Sequence, residues 1–484
     1  MPNRRDLTFT LSTGNSEQPT NEGPTLTKSG PGLRFLVLGE FSRHGRKPAV
    51  FKSRRVTFDN LDDVLSLVTR SFGSFDQFHP DFLAEAEPEL QHLLQLRRYL
   101  KDTTKRAAAV AELAALQQHP SPAAGAAETE AEPELLARLL GGRTPGAEQP
   151  SPATAAPERT GAPKAGAKAA VDRFVQHVLQ GSPGASPTPD DRGPDDLAIE
   201  LLTARCRSAL LAPDFRALER AWRSVHWLVS RLESDQGEVH VVDISKAELT
   251  EHLAQHARDL DASPLVQLLC DDGDGWDFLI GDYSFGLDAR DLMLLGNLGA
   301  IAARAGAPLL AHGELSLAGC ASPDLLDTPG KWSIDDPELA ALAEQVRKHP
   351  AAKWVGLAAP RFLLRHPYGK RGEPIESFPF EELPADPEAE RFLWGNPAFL
   401  CAWILGQAHS RDGARWPLRQ ANPIADLPMP LYTAHGGDAI QPPVEFLLSE
   451  AARTVLAQRG LIAFSGGHHA NRVSTQALHA FAAT

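Results

Sequence analysis

The feature that most restricts how this chain folds is an abrupt change of composition near Gln118. From Pro120 to Pro194 the sequence is rich in Ala, Pro, Gly, Ser and Thr and poor in aromatics, as in HPSPAAGAAETEAEPE and TPGAEQPSPATAAPERTGAPKAGAKAA. Such a stretch cannot bury enough apolar surface to offset its conformational entropy, so residues 119–195 read as a disordered linker. They divide the 484 residues into an N-terminal extension (1–32), a small folded part (33–118) and a large folded part (196–484). Inside the linker, VDRFVQHVLQ spaces Val171, Phe174, Val175, Val178 and Leu179 as on one helical face. Two readings stay open there, a docking helix and a transient one.

The small part opens with LRFLVLGEF, an apolar run bounded by Gly32 and Gly39 that suits a central strand. FDNLDDVLSLVTRSF then puts Leu61, Val64, Leu65 and Val68 on one helical face, with Asp59 or Asn60 as N-cap. Pro80 separates two elements in FDQFHPDFL, and PELQHLLQLRRYLKD is an amphipathic helix.

In the large part helices and strands alternate. FRALERAWRSVHWLVSRL carries Phe215, Leu218, Trp222, Val225, Val229 and Leu232 at helical spacing. Strands EVHVVDIS, DFLIGDYSF and APLLAHG alternate with helices KAELTEHLAQHARDL and DARDLMLLGNLGAIAARAG. PELAALAEQVRKH, NPAFLCAWILGQAH and PVEFLLSEAARTVLAQRG read as further helices, and LIAFSGG as a last strand. The order predicts an α/β fold: a small α/β domain, the Ala/Pro-rich linker, then a larger three-layer α/β domain with a mixed sheet.

Charge and cysteines narrow the function. A formal net charge of −14 argues against general nucleic-acid binding, which needs concentrated positive charge. Cys206, Cys270, Cys320 and Cys401 show no CxxC spacing, which fits reduced thiols in a cytoplasm. The start, MPNRRDLTFTLSTG, has no apolar core of signal-peptide length, and Leu292 to Ala311 is interrupted by Asn297 and Arg304. The expectation is a cytoplasmic protein without membrane insertion.

No phosphate-loop, zinc-helix or nucleophile-elbow motif is visible. His468 and His469 are adjacent, so on a strand they face opposite ways and do not share a metal. An exposed loop is the expectation there. Asp282, read as the end of a strand, suits a cap or turn acceptor better than a ligand-facing carboxylate. WVGLAAPRFLLRHPYG sets Arg361 and Arg365 in an apolar segment closed by Tyr368. Four apart on a strand, the two face one way, and Glu381 and Glu382 of SFPFEELP are natural bidentate partners. No catalytic residue, cofactor or metal is expected. The residues singled out as structural or interface-forming are Arg361, Arg365, Tyr368, Glu381, Glu382, Trp222, Asp282 and Trp394.

The large part resembles the large subunit of the type VI secretion contractile sheath. The resemblance rests on PDFRALERAWRSVHWLVSRLE, VVDISKAEL, LIGDYSFG, APLLAHG, VGLAAPRFLLRHPYG, FPFEE and LWGNPAFLCAWIL, in that order from about Leu197 to Phe464. LRFLVLGEFS, RRVTFDNLDDVL and FDQFHPDFL with PELQHLLQLRRYL resemble the small subunit. Together they imply a fusion of both halves that lacks the large subunit's C-terminal region. The implied role is structural and not enzymatic: protomers pack around an inner tube, and contraction of the sheath powers effector delivery. Implied partners are other sheath protomers, an inner-tube ring protein, the baseplate and a recycling ATP-dependent unfoldase. The alternative is a sheath-like accessory, cap or adaptor that does not polymerise.

Overall fold

A computed structural model describes residues 32–42, 51–118, 193–256, 259–271, 275–413 and 416–483. VDRFVQHVLQ lies outside them. Six strands in chain order build most of the main sheet: β1 (Leu33–Gly39), β2 (Arg54–Val56), β3 (Gly237–Asp243), β4 (Phe278–Phe285), β5 (Leu309–Gly313) and β6 (Val355–Ala359). Two pairs of short strands follow, β7 (Phe362–Leu363) with β8 (Trp394–Gly395) and β9 (Leu431–Ala434) with β10 (Gly437–Ile440). β11 (Leu461–Ala463) rejoins the main sheet, and β12 (Ser465–Gly467) pairs with β13 (Ala470–Ser474). His468 and His469 are exposed in the turn between these last two strands.

The order across the seven-stranded sheet is β11-β6-β5-β4-β1-β3-β2. Neighbours run parallel except β2, which is antiparallel to β3. The sheet is therefore mixed. β1 lies inside it, its seven residues in register with Gly237–Asp243 on one side and its centre with Phe278–Gly281 on the other. A strand paired on both edges and covered on both faces is mostly apolar, which is why LRFLVLG does not alternate beyond Arg34, whose side chain pairs with Glu238 at 2.9 Å. The segment before the linker thus supplies a central strand to a sheet otherwise built mostly from residues after it.

Helices cover both faces. On one, Leu36, Leu38, Leu279, Leu309 and Leu357 share a core with Leu249, Leu295 and Leu456 from the helices Lys246–Gln255, Ala289–Ala305 and Glu450–Gln458. On the other, the helix Ala398–Asp412 packs on β1, β4, β5 and β6, and Trp222 of the helix Pro213–Val229 meets Phe41 edge-on at 5.2 Å. The last predicted helix is shorter than PVEFLLSEAARTVLAQRG suggests. The Ser449 hydroxyl accepts from the Ala452 amide at 3.1 Å and caps the helix, which begins at Glu450.

Residues 83–213 with 377–379 form a separate body. Within it the helices Pro88–Tyr99, Arg106–Gln118 and Pro194–Leu211 pack together, and Arg205–Glu89 (2.8 Å) and Arg97–Asp195 (3.0 Å) tie the first to the third. Among the described residues no helix is long and apolar enough to cross a membrane.

Candidate functional site

The helix Pro213–Val229 turns an apolar stripe of Phe215, Leu218, Trp222 and Val225 inward, and Glu219 falls on that same stripe. Its carboxylate is buried, so it needs a cationic partner. Arg365 supplies it, donating from Nε to Glu219 Oε1 at 2.8 Å. The other side of the guanidinium donates to both oxygens of Glu382, at 2.7 and 3.0 Å. Arg223, one turn along from Glu219, donates to Glu219 at 2.7 Å and to the Tyr368 hydroxyl at 2.7 Å. The Tyr368 amide returns to Glu382 at 2.8 Å, and the Arg365 guanidinium stacks 4.0 Å over the Tyr368 ring.

Two guanidinium groups and two carboxylates balance in charge. Burial works to raise the Glu219 pKa, but Arg365 and Arg223 outweigh it and hold the pKa below the usual carboxylate range. Burial works to lower the Arg365 pKa, and Glu219 and Glu382 outweigh it in turn. An ion network with nearly every lone pair engaged fixes geometry; it leaves no group free to react.

Arg361 goes elsewhere. The strand β7 spans only Phe362 and Leu363, so the two arginines flank it and do not form one cationic face. Arg361 grips Glu445 with two hydrogen bonds, Nε to Oε2 at 2.8 Å and Nη2 to Oε1, correcting the expected pairing with Glu381 or Glu382. Glu381 is exposed and accepts from the Lys370 amide at 3.2 Å. Trp222 Nε1 donates to the Phe41 carbonyl at 3.0 Å, and Trp394 Nε1 to the Ala389 carbonyl at 2.7 Å, so both indoles are anchored inside the fold.

Asp282 departs most from expectation, because it sits within β4 and caps nothing. Register with β5 slips between Gly281 and Ser284, making a bulge of Asp282 and Tyr283. Asn396 clamps it, donating to the Gly281 and Tyr283 carbonyls at 3.1 Å each. Both Asp282 oxygens are buried and make no hydrogen bond of full geometry among the described residues, although the Asn396 side chain lies close enough to act on the carboxylate, and Arg220 stands 3.9 Å away, too far to donate. Burial raises the Asp282 pKa, with Arg220 and the Asn396 side chain opposing. Glycine at position 39 permits this packing: a Cβ there would lie 3.1 Å from that of Asp282.

Parallel α/β sheets bind ligands beyond the carboxyl ends of their strands. Here that edge holds a cleft of about 280 Å³ lined by Ser284, His312, Arg361 and Glu445. His312 Nδ1 lies 2.8 Å from the Ser284 hydroxyl, the geometry of a nucleophile and its base. Burial, with Arg361 and Arg220 nearby, pushes the His312 pKa down to about 3, and so weak a base does not activate a hydroxyl at neutral pH. The helix N-termini after β3 and β4, where such folds take phosphate, are already occupied. Ser245 and Glu248 form a capping box on one, and Asp288 accepts from the Asp291 amide on the other.

The buried ion network is satisfied within the chain, and these two helix N-termini are capped by the chain's own residues. The chain belongs to the tail sheath family: residues 199–480 match the domain described as VipB, EvpB/VC_A0108, tail sheath N-terminal domain. It is similar to the type VI secretion system sheath protein TssC1 of Pseudomonas aeruginosa, 30% identical over 275 residues, which cover 54% of this chain and 55% of that protein. The chain thus spans about half the length of the curated relative it matches. Glu219, Arg365, Glu382 and Asp282 lie inside the matched span; β1 and residues 33–118 lie outside it.

Proposed function

We propose that the protein is a structural component of a type VI secretion-like contractile sheath. Residues 33–118 act as the small-subunit part and residues 196–484 as the large-subunit part of one fused chain, joined by the linker. The membership of residues 199–480 in the tail sheath family carries this reading. The position of β1 between β3 and β4 supports the fusion, since the segment before the linker completes the sheet of the segment after it. The self-capped helix N-termini and the unreactive Ser284–His312 pair favour a structural role over an enzymatic one. The partners are other sheath protomers and an inner-tube ring protein, with the baseplate and an ATP-dependent unfoldase at later stages, all in the cytoplasm.

Affinity purification of the tagged chain from a cell that carries a type VI apparatus tests the reading. Recovery of sheath or inner-tube subunits in stoichiometric amounts is the expected result. Recovery of one bound copy at sheath ends favours the non-polymerising accessory, and recovery of no apparatus component overturns both.

A further inference from the structure

We infer that a cleft beside the helix Glu450–Gln458 takes a peptide segment of another protein, with one Asp or Glu side chain of that segment seated on the guanidinium of Arg453. The cleft has a volume of about 400 Å³, within the range of ligand sites, and lies between that helix, the end of β11 and residues 475–479. It shares no residue with the cleft at the carboxyl ends of the strands. Arg453 lines it with Nε buried and without a hydrogen-bond partner among the described residues, and no carboxylate among them pairs with the guanidinium. A buried donor left unmet costs the fold free energy, and an incoming acceptor recovers it.

The surroundings decide which acceptor fits. Among the described residues that line the cleft, Arg453 and Glu450 alone carry charge at neutral pH, since burial holds the His479 pKa below its usual value. A monoanion balances Arg453, whereas a phosphate dianion sets a surplus negative charge against Glu450. A carboxylate also matches the flat fork of a guanidinium and accepts two parallel hydrogen bonds from it. The hydroxyls indicate what carries the carboxylate. Thr454 donates to the Glu450 carbonyl at 2.9 Å and Thr475 to the Ala477 carbonyl at 3.3 Å, so both protons are committed and both oxygens are left as acceptors. They suit N–H groups, which a peptide main chain supplies and a small carboxylate such as acetate lacks. Ala457, Ala463 and Ala477 line the same cleft, and their short side chains let a main chain approach. The inference goes beyond the sheath reading and stands without it.

Panning a random peptide library displayed on phage against the full chain tests this. Enriched sequences should carry Asp or Glu at one fixed position. In a resynthesised peptide, replacing that residue by its amide should weaken binding about tenfold or more. Arg453→Gln should erase the difference between the acid and amide peptides. Ala457→Phe keeps the guanidinium and fills the groove, so it should abolish binding of both, and it decides the matter if Arg453→Gln does not fold. The inference is overturned by a library with no enrichment, by an acidic preference that persists in Arg453→Gln, or by binding unchanged in Ala457→Phe. Displacement of the peptide by an equal concentration of acetate overturns it too, because the cleft is then a site for small anions only.

Discussion

Arg365 and Glu219 stand 146 residues apart in the chain and meet at 2.8 Å, both buried. One guanidinium joins the helix Pro213–Val229, the loop after β7 and the irregular segment that carries Glu382. Removing it leaves Glu382 without a guanidinium and Glu219 with Arg223 alone in a low-dielectric interior, and the cost of stranding a buried charge exceeds the value of the pair itself. Arg365→Ala is expected to destabilise the protein by about 3–5 kcal/mol in chemical unfolding. Arg365→Lys should recover only part, because one ammonium does not serve both carboxylates in the plane of a guanidinium. A midpoint unmoved by Arg365→Ala contradicts the network.

The Arg361–Glu445 pair predicts a smaller loss. The Arg361 side chain keeps 31% of its exposure, so water compensates part of any stranded charge. Arg361→Ala should cost clearly less than Arg365→Ala, and Glu381→Ala, at an exposed site, less than about 1 kcal/mol. Equal losses at positions 361 and 365 would show that burial does not set the ranking.

Asp282 offers a substitution expected to stabilise. Its folded pKa is raised, so its contribution is full below the unfolded carboxylate value and is lost as pH rises through the folded value. At pH 7 the site opposes folding, through a buried charge or through the cost of keeping its proton. Asp282→Asn removes the titrating group at similar volume and should gain about 1–3 kcal/mol at pH 7, with a smaller gain near pH 4. A lower midpoint in the variant at pH 7 contradicts this account of the bulge.

His312 should shape the acid limb of stability. Its folded pKa of about 3 lies below the unfolded value near 6.5. The unfolded chain therefore takes up a proton that the folded chain refuses, and stability falls as pH drops through this window. The contribution is about 1.4 kcal/mol per pH unit. Urea unfolding of wild type and His312→Asn at pH 7, 6, 5 and 4 should show a limb shallower by one proton in the variant. Equal slopes would place the imidazole in solvent.

Much of the fold was legible from periodicity. LRFLVLG, EVHVVD and FLIGDYSF read as strands because short runs rich in β-branched, aromatic and other apolar residues suit buried parallel strands, and they are strands. What periodicity does not report is which strands are neighbours: the placement of β1 between β3 and β4 is a long-range choice made by packing. At the site, Arg365 with Glu382 was legible from proximity in sequence, and Arg361 with Glu445 was not, being 84 residues apart. Glu219 left a usable signal, a lone carboxylate on the Phe215–Leu218–Trp222 stripe, since a charge there has to be paired. The bulge at Asp282 left none, because a slip in register depends on the partner strand.

Negative-stain electron microscopy of the purified chain, alone and after incubation with inner-tube protein and neighbouring sheath subunits, tests the central claim most directly. The account predicts ordered particles on or continuous with the tubes, absent when Arg365→Ala replaces wild type. Bare tubes beside dispersed wild-type protein that is folded and binds no apparatus component would contradict it.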